Sequence, residues 1–212
     1  VGVLSVGCLA VVGDAGVVDQ DVQRAEPTRG VIYADTIYAT PARIPAALVP
    51  NCGVEGEVAF VFRQDMPPRA QPYSREEVSA AVDALAAIEV VHSRFANFDK
   101  TSMLEKLADS IANGAFVHAA PVVGWTGFDL GKLKVTLAVN GATVLEQQGG
   151  HPTGDPLGVA VVLVNMMREA NGVRAGQFVT CGSCTGLRFL KPGDRCSVTF
   201  ESFGSAEVTF AA

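Results

Sequence analysis

Two glutamates, Glu55 and Glu57, open the run Val54 to Phe62, whose remaining residues are almost all apolar. The run is β-branched and aromatic and follows the turn residues Pro50, Asn51 and Gly53, so it reads as a strand. Side chains alternate across a strand, which puts Glu55 and Glu57 on one face. Ala59 and Val61 continue that face, and Val54, Val58, Phe60 and Phe62 fill the other. Both faces are apolar beyond the glutamates, as in a buried strand. Two like charges on a buried face are costly unless something neutralises them, and a divalent cation would do so. A solvated strand edge is the ordinary alternative, because charged residues are usually exposed. Gly56, between the two, lets another group approach the backbone closely.

A third carboxylate favours the cation. Ser74 and Glu77 form a capping box, and the spacing of Val78, Val82 and Leu85 predicts a helix from there. The helix is predicted to give way near Ala86 and Ala87 to a strand over 88–95, with Glu89 among apolar neighbours. Three carboxylates with no cysteine–histidine cluster nearby make a hard oxygen site, suited to Mg²⁺, Mn²⁺ or Ca²⁺ better than to zinc. A cation held this way keeps open positions for water and an oxygen-chelating substrate.

Glu55-Gly56-Glu57, followed by Glu89 within the segment 88–94, resembles the metal motif of the fumarylacetoacetate hydrolase superfamily. The likeness is greatest to its branch of 2-keto-4-pentenoate hydratases and 4-oxalocrotonate decarboxylases. Further segments agree in order. Tyr33 to Thr36 is similar to the short segment before the metal strand, and Asp109 to Asn113 to an Asp-x-x-Ala-Asp-Asn element, with Asn113 where the family has Asp. Gly149 to Leu157 resembles its Gly-x-Pro-Leu loop and helix, 175–183 its Gly-Ser strand, and Gly193-Asp194 and Phe203 to Ser205 its closing strands. The resemblance runs from about Gly30 to Phe210. It implies an α+β fold, a sheet-rich mixed β-roll or barrel with a few peripheral helices, and a homo-oligomer. It also implies Glu55, Glu57 and Glu89 as ligands of Mg²⁺ or Mn²⁺, with Asp35, His151 and Ser183 as further pocket residues.

Residues 1–29 depart from the pattern. The family's hydratases carry a Gly-x-Lys-x-Gly element before the metal strand, whereas here the first lysine is Lys100. The nearest counterpart, within residues 1–7, has Leu4 or Ser5 in place of lysine. The remainder, 30–212, is expected to form a single catalytic domain. The apolar stretch 1–12 lacks the basic flank and small-residue cleavage site of a secretory signal. Val159 to Met167 is too short to span a bilayer and reads as a buried helix.

Of 212 residues, 49% are hydrophobic, enough for one sizeable core and against disorder. The net charge of −6, with no lysine–arginine cluster, argues against nucleic acid as a partner. Many short β-rich runs between Gly and Pro point to a mixed, sheet-rich fold. The five scattered cysteines, Cys8, Cys52, Cys181, Cys184 and Cys196, suggest reduced thiols and a cytoplasmic protein. Cys181 and Cys184 have redox-motif spacing but lie in a strand-to-turn segment, where nothing lowers a thiol pKa.

Three histidines are present. His92 falls on the opposite strand face from Glu89 and reads as packing, as does His118. His151, in a Gly/Pro-rich loop near Asp155, is equally compatible with a surface turn and with an active-site loop. Arg94 could pair with a substrate carboxylate or with a ligand carboxylate, although structural arginines are common after strands.

The resemblance implies a metal-dependent enzyme that adds water to a 2-hydroxy-2,4-dienoate, taking a small 2-keto acid as substrate, without nucleic acid or membrane as partner. Decarboxylation of an oxalocrotonate and C–C hydrolysis of an acylpyruvate share the same enolate. The missing lysine leaves a non-catalytic homologue as the opposing reading.

Overall fold

The computed structural model describes residues 4–8, 29–97 and 100–212. Of the apolar N-terminal stretch, residues 1–3 and 9–12 lie outside this set, and the backbone of Leu4–Cys8 forms strand β1, antiparallel to β2 (Arg29–Tyr33).

The central sheet is mixed. β5 (Gly53–Phe62) and β6 (Val82–Val91) pair antiparallel over their full length. β6 pairs antiparallel with β7 (Asn113–His118), and β3 (Ile37–Ala39) adds parallel to β7. On the other side of β5 lie β10 (Phe178–Ser183) and the short β11 (Arg188–Phe189). A second, five-stranded sheet runs β4 (Ala42–Pro45), β13 (Gly204–Ala211), β12 (Arg195–Phe200), β8 (Lys134–Val139) and β9 (Ala142–Gln148). Its β4–β13 pair is parallel and the rest antiparallel.

Alternation along β5 and β6 divides the apolar residues between two clusters. Val54, Val58, Phe60, Phe62, Ala84, Ala86 and Ile88 face the second sheet, where they meet Leu137, Val198, Phe200, Val208 and Phe210 in the main core. Ala59, Leu85 and Ala87 face the other way and pack with Ile32 of β2 and Phe116 of β7 in a smaller cluster. The division of β5 matches the sequence expectation, and the carboxylates stand on the smaller cluster's face.

Three α-helices lie among the described residues. Ser74 caps α1 (Arg75–Ala81) with the expected reciprocal box to Glu77. The helix stops at Ala81, so Val82 and Leu85 belong to β6 and not to the helix that their spacing predicts. β6 in turn ends at Val91, short of the predicted Phe95. α2 (Met103–Ala108) is capped by Ser102 and Glu105 in the same way. α3 (Pro156–Met167) contains the apolar run 159–167 and is buried along much of its length, as expected. No helix of the described residues is long and apolar enough to cross a membrane.

Candidate metal centre

Register brings the three glutamates together. Glu55 stands directly opposite Glu89 across the β5–β6 pair, and Glu57, opposite Ala87, is the diagonal neighbour on the same face. One carboxylate oxygen of each lies within 4.8 Å of the others. Like charges directly opposite one another destabilise a sheet, so the arrangement needs compensation.

Glu57 is 2% exposed and held by backbone donors. Between Thr180 and Ser183, β10 carries one more residue than the facing stretch of β5, a β-bulge. The bulge removes two N–H groups from the ladder, and Cys181 N and Gly182 N donate to Glu57 Oε2 at 2.9 and 3.0 Å. Gly182 takes φ +108° there, a conformation that favours glycine. His151 braces the bulge from behind. Its Nε2 bonds to the Cys181 carbonyl at 2.7 Å, and Thr153 N donates to its Nδ1 at 3.3 Å. This pattern makes Nε2 the protonated nitrogen, and burial holds the imidazole pKa below its usual value. His151 is therefore a buried histidine with both nitrogens engaged, not a surface turn residue.

Glu89 Oε1 accepts a hydrogen bond from Asn113 Nδ2 at 2.8 Å. Arg94 does not reach the carboxylate cluster: its Nε pairs with Asp109 Oδ1 at 3.0 Å, and its Nη1 donates to the carbonyls of His92 and Asn113. Glu55 is half-buried and takes a hydrogen bond from the Ser183 side chain. Asp35 lies exposed on the single 3₁₀ turn Ala34–Thr36, outside the cluster. His92 bonds to Asn51 Oδ1 at 2.6 Å, and His118 packs at a tilt against Phe178 with ring centroids 4.7 Å apart; neither belongs to the cluster.

Gly56 admits a close neighbour, as its position suggested, and that neighbour is protein. Its N–H donates to Thr185 Oγ1 at 2.8 Å, and its carbonyl accepts from Cys184 N at 2.7 Å. Cys181 and Cys184 are buried and form no disulfide, and burial pushes the Cys184 thiol up to about 12, the reverse of a redox-active thiol.

Burial, and then repulsion from Glu89, raise Glu55 to about 7. The same two causes, with Glu55 added, raise Glu57 well above the carboxylate range, and burial raises Glu89. Glu57 and Glu89 also hydrogen-bond to each other, which holds Glu57 up further. No ion pair among the described residues joins any of the three to a basic side chain. Buried, mutually repelling hard-oxygen donors without a basic partner fit a divalent cation. Sequence reasoning missed Asn113 as a donor to Glu89 and the β10 bulge as a cradle for Glu57. Both depend on contacts between distant segments, and only the glycine at 182 gave a local sign.

Comparison with known proteins gives the family. Residues 9–211 match the family model described as fumarylacetoacetate (FAA) hydrolase C-terminal. A 2-keto-4-pentenoate hydratase of Paraburkholderia xenovorans (strain LB400) is 28% identical over 195 residues, which is 92% of this chain and 72% of that protein. A 4-oxalocrotonate decarboxylase of Pseudomonas putida is 29% identical over 160 residues, 74% of this chain and 59% of that one. The solved structure of 4-oxalocrotonate decarboxylase from Pseudomonas putida G7, complexed with magnesium and adipate, superposes with a TM-score of 0.79 at 23% identity, covering 98% of this chain and 76% of that one. With the family model spanning almost the whole sequence, the chain belongs to the fumarylacetoacetate hydrolase family.

Proposed function

We propose that this protein is a divalent-metal-dependent hydro-lyase that adds water to a 2-hydroxy-2,4-dienoate to give a 4-hydroxy-2-keto acid, in the breakdown of aromatic compounds. The observation that carries the reading is the triad of Glu55, Glu57 and Glu89, gathered on one sheet face with no basic partner among the described residues. Relatives named 2-keto-4-pentenoate hydratase, matched over 87–92% of this chain, support the reaction class. The three glutamates would hold Mg²⁺ or Mn²⁺. That ion, when bound, supplies charge stabilisation for a developing enolate.

The chain's own groups then divide the work. Cys181 N–H and Gly182 N–H fix Glu57 Oε2, so its carboxylate keeps one orientation. Ser183 orients Glu55 from the edge strand. His151 acts through the bulge, because its protonated Nε2 is committed to the Cys181 carbonyl. Asp35, exposed on the turn beside β7, remains an acid–base candidate, and we assign it to the pocket rim. We also infer a single catalytic domain over 30–212, a cytoplasmic homo-oligomer, and a small 2-keto acid as its partner, with neither nucleic acid nor membrane.

The test is binding before turnover. Oxalate or pyruvate should bind in calorimetry only with Mg²⁺ or Mn²⁺ present, and 2-hydroxypenta-2,4-dienoate should lose its ultraviolet absorbance in the presence of the same ion. Metal-dependent oxalate binding without dienoate consumption would replace hydration with the non-catalytic reading. The decarboxylase likeness favours one second reaction, loss of CO₂ from an oxalocrotonate, and comparing the two substrates under one set of conditions decides between them.

A further inference from the structure

Asn113 is 5% exposed and sits at the start of β7, where the β6–β7 register shifts between Val90 and Val91. Its amide Nδ2 donates to Glu89 Oε1 at 2.8 Å. An amide can meet a carboxylate only as a donor, and it adds no charge of its own. A carboxylate at this position would put a fourth negative group beside three that already repel.

What aims this amide is unusual. The residues before it, Ser110, Ile111 and Ala112, all take positive φ, at 53°, 55° and 61°, and none is glycine. Successive left-handed residues with side chains are strained and persist only where their surroundings hold them. Here the hold is explicit. Asp109 is a nearly buried carboxylate whose Oδ1 pairs with Arg94 Nε at 3.0 Å. Its Oδ2 accepts from Ser93 Oγ at 2.9 Å and from Arg94 N at 3.1 Å. Arg94 Nη1 crosses the turn to the Asn113 carbonyl at 2.8 Å, and His92 N donates to the Ala112 carbonyl at 2.7 Å. Gly114 completes the fit, since a Cβ there would come within 2.9 Å of the His92 Cβ.

We propose that Asn113 is a positioning residue for the metal ligand Glu89, aimed by the Arg94–Asp109 clamp across the left-handed turn. The proposal rests on the triad's binding a cation. It assigns Arg94 a role at one remove from the site, in place of contact with substrate.

Calorimetric titration with Mn²⁺ tests it, alongside denaturant unfolding of the metal-free proteins. Asn113→Ala should bind Mn²⁺ roughly 10–100-fold more weakly, the usual range when a partner that orients a ligand is removed. Arg94→Gln, which alters a half-exposed side chain, should weaken binding in the same direction. The double variant should bind no more weakly than Asn113→Ala alone, because Arg94 acts through Asn113. Additive losses, or wild-type Mn²⁺ affinity in either single variant, overturn the proposal. Should Asn113→Ala fail to fold, Arg94→Gln decides alone: unchanged affinity refutes the clamp and reduced affinity supports it. A wild-type chain that binds no Mn²⁺ refutes the metal reading itself, which sets that failure apart from a failure of Asn113.

Discussion

Glu57 is the triad member most fully enclosed by the fold, with both cradle bonds falling on one of its oxygens. Glutamine is its isostere. Its carbonyl oxygen accepts the same two N–H groups, while the negative charge is lost. Glu57→Gln should therefore leave the metal-free protein as stable as wild type or more so. Cation binding at a hundred times its dissociation constant stabilises a native state by about 2.7 kcal/mol, and the variant should lose most of that gain in thermal melts with Mg²⁺ or Mn²⁺. Equal metal-induced shifts in the two proteins would remove Glu57 from the ligand set. His151 supports the same cradle from the far side of the chain. His151→Phe removes the Nε2–H bond to the Cys181 carbonyl and the Nδ1 acceptor of Thr153 N, which should cost about 1–3 kcal/mol in urea unfolding. Because both ring nitrogens are committed to backbone partners, residual activity in a His151 variant should keep the wild-type pH–rate profile. A lost limb in that profile would identify His151 as a proton-transfer group after all.

At the scale of elements, β5 was readable and β6 was not, and the contrast has a physical cause. β5 is rich in β-branched and aromatic residues, and its alternation gives both the strand and the shared face of Glu55 and Glu57. The segment 79–87 is rich in alanine, with apolar residues at helical spacing, so local preference favours a helix. Pairing overrides it. β6 lies between β5 and β7, and its alanines 84, 86 and 87 are fully buried, 84 and 86 in the core between the two sheets and 87 in the smaller cluster on the opposite face. Small residues suit a strand covered on both faces, and no local signal announces that cover. The carboxylate triad survived this misplacement because Glu89 lies in strand under either boundary. The bulge in β10 and the left-handed turn before β7 were not legible, since each is fixed by contacts with residues far away in sequence. Gly56 offers a test of how tightly the elements close around the site. A Cβ there would fall 2.6 Å from Val198 Cγ1 and 2.9 Å from Thr185 Cγ2, both on branched side chains with little freedom to move. Gly56→Ala should therefore destabilise the protein by about 1–3 kcal/mol in equilibrium unfolding. A variant as stable as wild type would show that the second sheet can retreat from β5.

For the whole molecule, the carboxylates fall into two groups with opposite pH behaviour. On the surface, Glu77 is held at about 2 by the Arg69 guanidinium, and Asp155 and Asp194 are lowered by hydrogen bonds from Arg75 and Asn140. Groups with depressed pKa values stabilise the fold above their unfolded values, and that stability is lost as pH falls through the folded ones. The buried triad does the reverse. Glu55 moves from 4.5 to about 7, and Glu57 and Glu89 are also raised. Between those limits the native state holds protons that the unfolded chain has released, so stability declines as pH rises. The metal-free protein should accordingly be most stable near pH 4.5–5, losing stability towards pH 2 through its surface pairs and from about pH 5 to beyond 7 through the triad. Mg²⁺ or Mn²⁺ stands in for the protons on the triad and leaves the surface pairs untouched. Adding either ion should therefore flatten the limb above pH 5 and leave the acid limb unchanged. Melting temperatures across pH 3–8, with chelator and with Mn²⁺, read both limbs at once. A metal-free curve that is flat or rising from pH 5 to 7 would mean that the three carboxylates do not share a desolvated site. A curve in which Mn²⁺ shifts the acid limb as well would place its binding among the surface carboxylates.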